Sequence, residues 1–290
     1  MGLVVTKQTK HMGTLVMKEV SKEVAKPMII ENHYSHKWGS QFGLINVGVF
    51  RDDVLLGVAV FGWMKNANSY KSIANIEKNE IIELNRLWIS DELGKNAETI
   101  LLGACWKILR ADYPHIKLVQ SFADGRLGCG TIYKAANFRY YGYHTSLFME
   151  HLVTGEIKQD TLFNNGNSIQ TVMDTNADWL DGLYRSFKVK TYRYIYVLDK
   201  KVEIYKKEKP YPQYDKGMID AVYSPSNNLI ARLVTLYSVT GDMKHADKGM
   251  NLLKERLNGD NNAVSQLILE QQDDKNVVKY LEKKGFGSFA

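Results

Sequence analysis

The sequence predicts a mixed α/β fold: a central sheet with at least one parallel crossover, flanking helices, and a small helical appendage at the C-terminus. Three observations predict it. Short apolar runs bounded by turn residues recur from residue 43 to residue 197. A segment of helical period, 97–110, lies between two strand-like runs, the order that a parallel crossover requires. After Pro210-Tyr211-Pro212 the period becomes helical for the rest of the chain.

The runs 43–50 and 54–61 flank Arg51-Asp52-Asp53 and read as an antiparallel hairpin. Residues 80–89 read as a strand in which Ile82 and Leu84 alternate with Glu83 and Asn85. A turn-rich loop, 90–96, leads to the helix 97–110, where Leu101, Cys105 and Ile108 share one face and Asn96 is the expected N-cap. Residues 116–122 read as the next strand, 131–136 as a short helix, and 139–152 and 188–197 as further strands. Helices are expected at 228–239, 245–257 and 262–270, separated by Thr240-Gly241-Asp242 and Asn258-Gly259-Asp260, with a last segment at 275–284. The expected domains are 1–215 and a helical extension, 216–290.

At 44% hydrophobic and 24% charged, the 290 residues suit a soluble globular protein with a sizeable core. No run approaches the roughly 18 apolar residues that span a bilayer, so no membrane partner is expected. The N-terminus lacks an apolar stretch ending at a small-residue cleavage site. Two cysteines make neither a disulfide framework nor a four-thiolate zinc site, and the expected location is the cytosol.

Residues 185–216 carry ten basic residues against four acidic ones, an excess equal to the net +6 of the chain. Tyrosines interleave with those cations. Cations neutralise phosphates and aromatic faces stack on unpaired bases, which nominates Lys188, Lys190, Tyr192, Arg193 and Tyr194 for nucleic acid. A lysine-protected sheet edge is the bland alternative.

The best site signal is Ser121-Phe-Ala-Asp124-Gly-Arg-Leu-Gly-Cys-Gly130-Thr-Ile-Tyr133. A strand stops at a carboxylate, a glycine-rich turn follows, and a phenol sits in the next helix; α/β proteins place ligands at such strand ends. Asp124 is a candidate metal ligand, base or amine-orienting group, against an Asx-type turn residue. Tyr133 is a candidate general acid, metal ligand or core filler. Ser121 either hydrogen-bonds a thioester oxygen or ends its strand. His33 and His36, in Glu31-Asn-His-Tyr-Ser-His, could join Asp124 in a His/His/carboxylate set that suits Fe(II); surface or capping roles compete. Arg86 could neutralise a phosphate or pair with Glu83 or Glu80.

The blocks Glu83-Leu-Asn-Arg86-Leu-Trp-Ile, Asn96-Ala-Glu-Thr99, Ser121-Phe-Ala-Asp124 and Gly130-Thr-Ile-Tyr133-Lys-Ala, in that order, resemble the Mom family of phage DNA-modification proteins over roughly residues 28–212. One departure stands out. Family members often carry Gly-His-x-Gly-Thr-Ile-Tyr, whereas this turn is one residue shorter and holds Cys129. The resemblance implies a GNAT-type (N-acetyltransferase) fold with acetyl-CoA or a related acyl-CoA between two parting parallel strands. The usual glycine-rich pyrophosphate loop is absent; Arg86, Lys95, Asn96 and Thr99 are the cofactor candidates in its place. It also implies conversion of adenine in double-stranded DNA to a carbamoylmethyl form that shields phage DNA from restriction, in the cytoplasm of the infected host. The family's link to iron fits one chemical fact: a bond to the acetyl methyl carbon is not ordinary acyl transfer. A conventional amine N-acetyltransferase and a non-catalytic DNA-binding anti-defence protein are the alternatives.

Overall fold

The computed structural model describes residues 2–166, 168–213 and 218–286. They pack as two compact units, each built from two stretches of chain: Met1–His144 with Lys190–Gly217, and Thr145–Val189 with Met218–Ala290. The boundary expected at 215/216 lies outside the described residues. Packing groups 145–189 with the C-terminal helices, a grouping that chain order does not display.

The first unit holds β1 (Val5–Thr9), β2 (Gly13–Glu19), α1 (Lys22–Asn32), β3 (Phe42–Arg51), β4 (Val54–Gly62), β5 (Ile81–Ile89), α2 (Ala97–Asp112), β6 (Leu118–Asp124) and α3 (Thr131–Ala135). It also takes the first half of β7 (Arg139–His151) and the second half of β9 (Tyr184–Val197). Its strand order is β1-β2-β3-β4-β5-β6-β9-β7. The β3–β4 hairpin turns on Asp52 and Asp53, both left-handed (φ 50° and 61°), a turn whose twist matches the strands it joins.

Antiparallel pairing carries the sheet as far as β5, and β5 then runs parallel to β6. That parallel pairing covers Ile81–Glu83 against Leu118–Gln120 and stops. Beyond it the two strands part. The α2 crossover supplies the parallel direction, as the change of period predicts. On one face Ile82, Leu84, Val119, Ala123, Tyr192 and Tyr194 pack with Leu101, Cys105, Trp106 and Ile108 of α2. On the other, Ala25 and Ile29 of α1 cover Val58 and Val60, while Ile81, Leu118 and Ile195 pack with Ile73, Ile76 and Tyr141.

The second unit contains β8 (Ile157–Gln159), α4 (Thr161–Asn165), α5 (Ile169–Leu180), β10 (Met218–Asp220), α6 (Asn227–Thr240), α7 (Met243–Arg256), α8 (Asn261–Gln272) and α9 (Lys275–Lys283). α6 is its centre, burying Leu229, Leu233, Leu236 and Tyr237 on one side and Ile230, Val234 on another. Ser226, Asp242, Asp260 and Asp274 each accept a backbone N–H at the start of the following helix, so the Gly-Asp turns read in the sequence work as stop-and-cap signals. Among the described residues no helix is long and apolar enough to cross a membrane.

Candidate functional site

Where β5 and β6 part, a cavity of about 390 Å³ opens in the first unit. Its wall is made by His33 and Tyr34 after α1, by Glu83–Leu87 of β5, by Phe122–Asp124 of β6, and by the turn and helix 127–133. Asp124, Tyr133 and Arg86, nominated from distant segments, all line this cavity. Ser121 lies just behind the wall, 1% exposed.

Two local devices shape the cavity. The first is a bulge in β5: Val60 faces Arg86 and Phe61 faces Leu84, so Asn85 is an extra residue against β4. A bulge re-aims side chains, and such irregularities are common beside binding sites. Gly62 makes room for it; a Cβ there would lie 2.6 Å from Asn85 Oδ1 and closer still to the Gln41 carbonyl oxygen. The second is the Gly128-Cys129-Gly130 turn. Gly130 is left-handed (φ 86°), and the Tyr194 hydroxyl donates to the Cys129 carbonyl to pin it.

Tyr133 stacks on Tyr194 at 4.9 Å and meets Phe138 edge-on at 5.1 Å. Its hydroxyl lies 2.9 Å from Ser121 Oγ and 3.3 Å from the Phe122 carbonyl oxygen. Ser121 Oγ is also 3.0 Å from the Leu84 carbonyl oxygen, so the serine of β6 reaches both β5 and the phenol. Burial pushes the Tyr133 phenol up to about 12, which keeps its proton on at neutral pH.

Glu83 is the residue that sequence reasoning passed over. It lines the cavity, and Asn85 Nδ2 and Gln120 Nε2 donate to its two carboxylate oxygens at 3.1 and 3.2 Å. Burial raises its carboxyl above the usual carboxylate range, only partly opposed by those hydrogen bonds and by Arg86 and Arg193. The amide oxygens of Asn85 and Gln120 are buried without a partner, so this corner is rich in acceptors. A Glu-x-Asn pair inside an apolar strand was the available signal.

Arg86 does not pair with Glu80, which binds Lys117 at 2.6 Å. Its guanidinium donates to the Asn85 and Lys37 carbonyls at 2.7 and 3.3 Å and lies over the Phe42 ring. Asp124 accepts from the Arg126 backbone N–H at 3.0 Å and from its guanidinium at 2.5–3.0 Å. It is thus a turn-closing carboxylate as well as part of the wall.

The expected metal set does not assemble. His33 Nδ1 is engaged by the Ser35 backbone N–H and hydroxyl, and burial, with help from Arg86, pushes its pKa down to about 4. His36 Nδ1 meets the Ile30 carbonyl oxygen at 2.8 Å and is not part of the cavity wall. Asp124 is held by Arg126. Among the described residues no three His, Cys, Asp or Glu lie close enough together to hold a metal ion. The donor set therefore does not fit Fe(II) at this place.

Lys95, Asn96 and Thr99 stand at the start of α2, outside the cavity wall. Asn96 is left-handed (φ 71°) and its side chain caps nothing, while Thr99 Oγ1 donates to its carbonyl at 2.8 Å. The first-turn amides of α2 are thus without a side-chain cap.

The stacking role expected of Tyr192 and Tyr194 is corrected: they are 2% and 1% exposed, part of the core beneath α2 and α3. Lys188 is exposed on the half of β9 that belongs to the second unit. Lys190 lies over the Tyr143 ring at 5.3 Å, and Arg193 over Phe122 at the cavity wall, also at 5.3 Å.

The profile of the Mom protein family matches residues 14–213. The methylcarbamoylase Mom of Escherichia phage Mu is 34% identical over 138 residues, a match covering 47% of this chain and 57% of that protein. This chain therefore spans little more than half the length of that curated relative. Among solved structures, a putative GNAT-family acetyltransferase from Desulfovibrio desulfuricans matches with a TM-score of 0.35 at 8% identity, over 64% of this chain and 99% of that one. The IAA acetyltransferase of Bacillus cereus matches with a TM-score of 0.34 at 10% identity, over 62% and 97%.

Proposed function

The chain belongs to the Mom protein family, and from that premise we propose that it is a phage-type DNA-modifying transferase. It converts adenine in double-stranded DNA to a carbamoylmethyl-type base with an acyl-CoA-related donor, in the cytoplasm of the infected cell, and so shields the DNA from restriction. The observation that carries this reading is the joint presence of Glu83 and Tyr133 in one cavity at the parting of two parallel strands.

The two residues suit opposite halves of a transfer. A buried carboxylate with a raised pKa accepts a proton from an amine as it becomes a nucleophile. A phenol that keeps its proton donates one to a leaving group. Bound acyl-CoA would supply the carbon unit. Its thiolate would leave to an ammonia-level nitrogen donor that becomes the amide, and the bond from the adenine nitrogen to the methyl carbon would need a two-electron oxidant as a further co-substrate; attack of the adenine amine at the carbonyl alone gives the N-acetyl base of the second reading. The residues that would hold the acyl-CoA are the parted ends of β5 and β6 and the uncapped first turn of α2, whose N–H groups attract phosphate. Arg86, fixed by two carbonyls, adds a cation to the same wall. The neutral His33 ring, with Nδ1 accepting from Ser35, presents Nε2–H as a donor. A base atom is reached only after the base leaves the stack, which a cavity of this size permits.

The second reading is ordinary acetyl transfer to an amine, favoured by the same Glu83–Tyr133 pair, since a base for the amine and an acid for the thiolate are all it needs. Mass spectrometry of nucleosides from cells expressing the wild type and Asp124→Ala separates the cases. A carbamoylmethyl-type adenine nucleoside in the wild-type sample alone supports the first reading. An acetylated nucleoside supports the second, and unmodified DNA from infected, expressing cells refutes DNA modification.

A further inference from the structure

Beside the cavity lies a group of cations for which the reading above has no use. Ala123 packs into the core beneath α2, so its neighbours on β6, Phe122 and Asp124, face the other side of the sheet. There Phe122 is the cross-strand neighbour of Arg193, whose guanidinium sits 5.3 Å from the ring centroid. His144 meets the same ring edge-on, centroids 5.7 Å apart and planes at 84°. Lys206, half-buried, comes from the segment after β9.

Arg193 and His144 share the Phe122 ring, and Lys206 is near enough to feel the charge of Arg193. The Lys206 ammonium and the His144 imidazole are both held below their ordinary values, first by burial and then by the charge of Arg193. The opposing charge that Arg193 feels is Glu83, on the next strand but one. Among the described residues neither Arg193 nor Lys206 has a carboxylate in ion-pairing reach. Partly desolvated cations without a counter-charge are costly unless a ligand supplies it. Lys200, Lys201, Lys207 and Lys209 lie exposed on the same segment, where they and Lys206 outnumber Asp199, Glu203 and Glu208. Such a track fits a polyanion better than a single small ligand.

We propose that Arg193 and Lys206, beside Phe122 and His144, form a seat for a phosphodiester group of the DNA strand whose base enters the cavity. This rests on the DNA-modification reading and names the place where the backbone is gripped. The seat fixes the nucleotide sugar-phosphate while the Phe122 edge borders the path of the base. The pyrophosphate of an acyl-CoA shares this chemistry, and the test separates the two sources.

The experiment measures binding of the full chain to a fluorescein-labelled DNA duplex, by anisotropy, between about 50 and 200 mM salt. Wild type, Arg193→Gln, Lys206→Gln and Arg193→Lys are compared, and acetyl-CoA affinity is measured for each. The seat predicts that each glutamine variant flattens the log Kd against log salt slope by about one and weakens binding several-fold. Arg193→Lys keeps the slope, and acetyl-CoA affinity does not change. Lys206 lies on an irregular segment, so its variant serves should Arg193→Gln fail to fold. Wild-type slopes in both glutamine variants overturn the seat while leaving DNA binding intact. Weakened acetyl-CoA binding with unchanged DNA slopes reassigns the phosphate to the donor and also overturns it. A wild type that binds no duplex refutes the DNA reading and the seat together.

Discussion

Replacing Gly130 with alanine tests whether the turn after β6 is what holds Tyr133 in the cavity wall. The backbone there is left-handed, φ 86°, and a Cβ would stand 2.8 Å from Ala123 Cβ, Tyr133 Cδ2 and Tyr194 Cε2. Left-handed backbone costs a side chain about 1–2 kcal/mol. Forcing a methyl into packed surroundings costs about 1–3 kcal/mol more. None of the three neighbours is the loose end of a flexible chain, since the tyrosines stack on each other and Tyr194 is fully buried. The sum is roughly 2–5 kcal/mol, or about 3–8 °C in melting temperature for a chain of this size. Gly103→Ala is the control: it sits inside α2 with nothing within 4 Å of its Cβ. Alanine there should stabilise the helix by about 0.5–1 kcal/mol. Thermal melts of wild type and both variants, at one pH and salt concentration, give the comparison. A Gly130→Ala protein that melts with or above the wild type would refute the packing argument, because nothing else in the turn could absorb the methyl.

Further outcomes are expected at Glu83, Tyr133 and His36. Glu83→Gln should lose modification activity yet gain stability, because it removes a buried charge and its amide can serve the unpartnered oxygens of Asn85 or Gln120. A carboxyl raised in the fold favours the folded state below its unfolded pKa and loses that contribution as pH rises through the folded value. The stability gap between Glu83→Gln and wild type should therefore widen with pH over that window and then level off, which melts at stepped pH will show. Tyr133→Phe should lose product at a stability cost of about 1 kcal/mol, since Ser121 keeps its Leu84 carbonyl partner. Activity of the wild type should show no basic-side loss at the ordinary phenol range near about pH 10, because burial holds Tyr133 at about 12. His36→Ala should retain product, whereas a metal role for that imidazole requires its loss.

The elements with clear period were legible: the β3–β4 hairpin, β5, α2, β6 and the C-terminal helices all stand within a few residues of their expected places. The parallel crossover followed from strand, helix, strand order. α1 was not legible, because Pro27 interrupts it and only Ala25 and Ile29 are fully buried. In β9 the alternation was read correctly, but both faces are covered: Tyr192 and Tyr194 pack beneath α2, and Ile195 packs on the opposite face. Tyrosines can be core residues when their hydroxyls find partners, as Tyr194 does at the Cys129 carbonyl. Of the site, Asp124, Arg86 and Tyr133 were legible as polar residues at a strand end and a glycine turn. Glu83 was not, because its burial depends on the β5 bulge and on Gln120 of the neighbouring strand. The histidine pair misled because α1 ends at Asn32 and His36 adopts φ 47°, so a three-residue spacing does not put both rings at one place.

The most direct test of the account is nucleoside mass spectrometry on DNA from infected cells expressing wild type or Glu83→Gln, with the melting temperature of each protein measured alongside. The account predicts a modified adenine nucleoside with the wild type and none with the variant, whose melting temperature equals or exceeds that of the wild type. Equal product from both proteins would contradict it, for the cavity at the parting of β5 and β6 would then not be where the chemistry takes place.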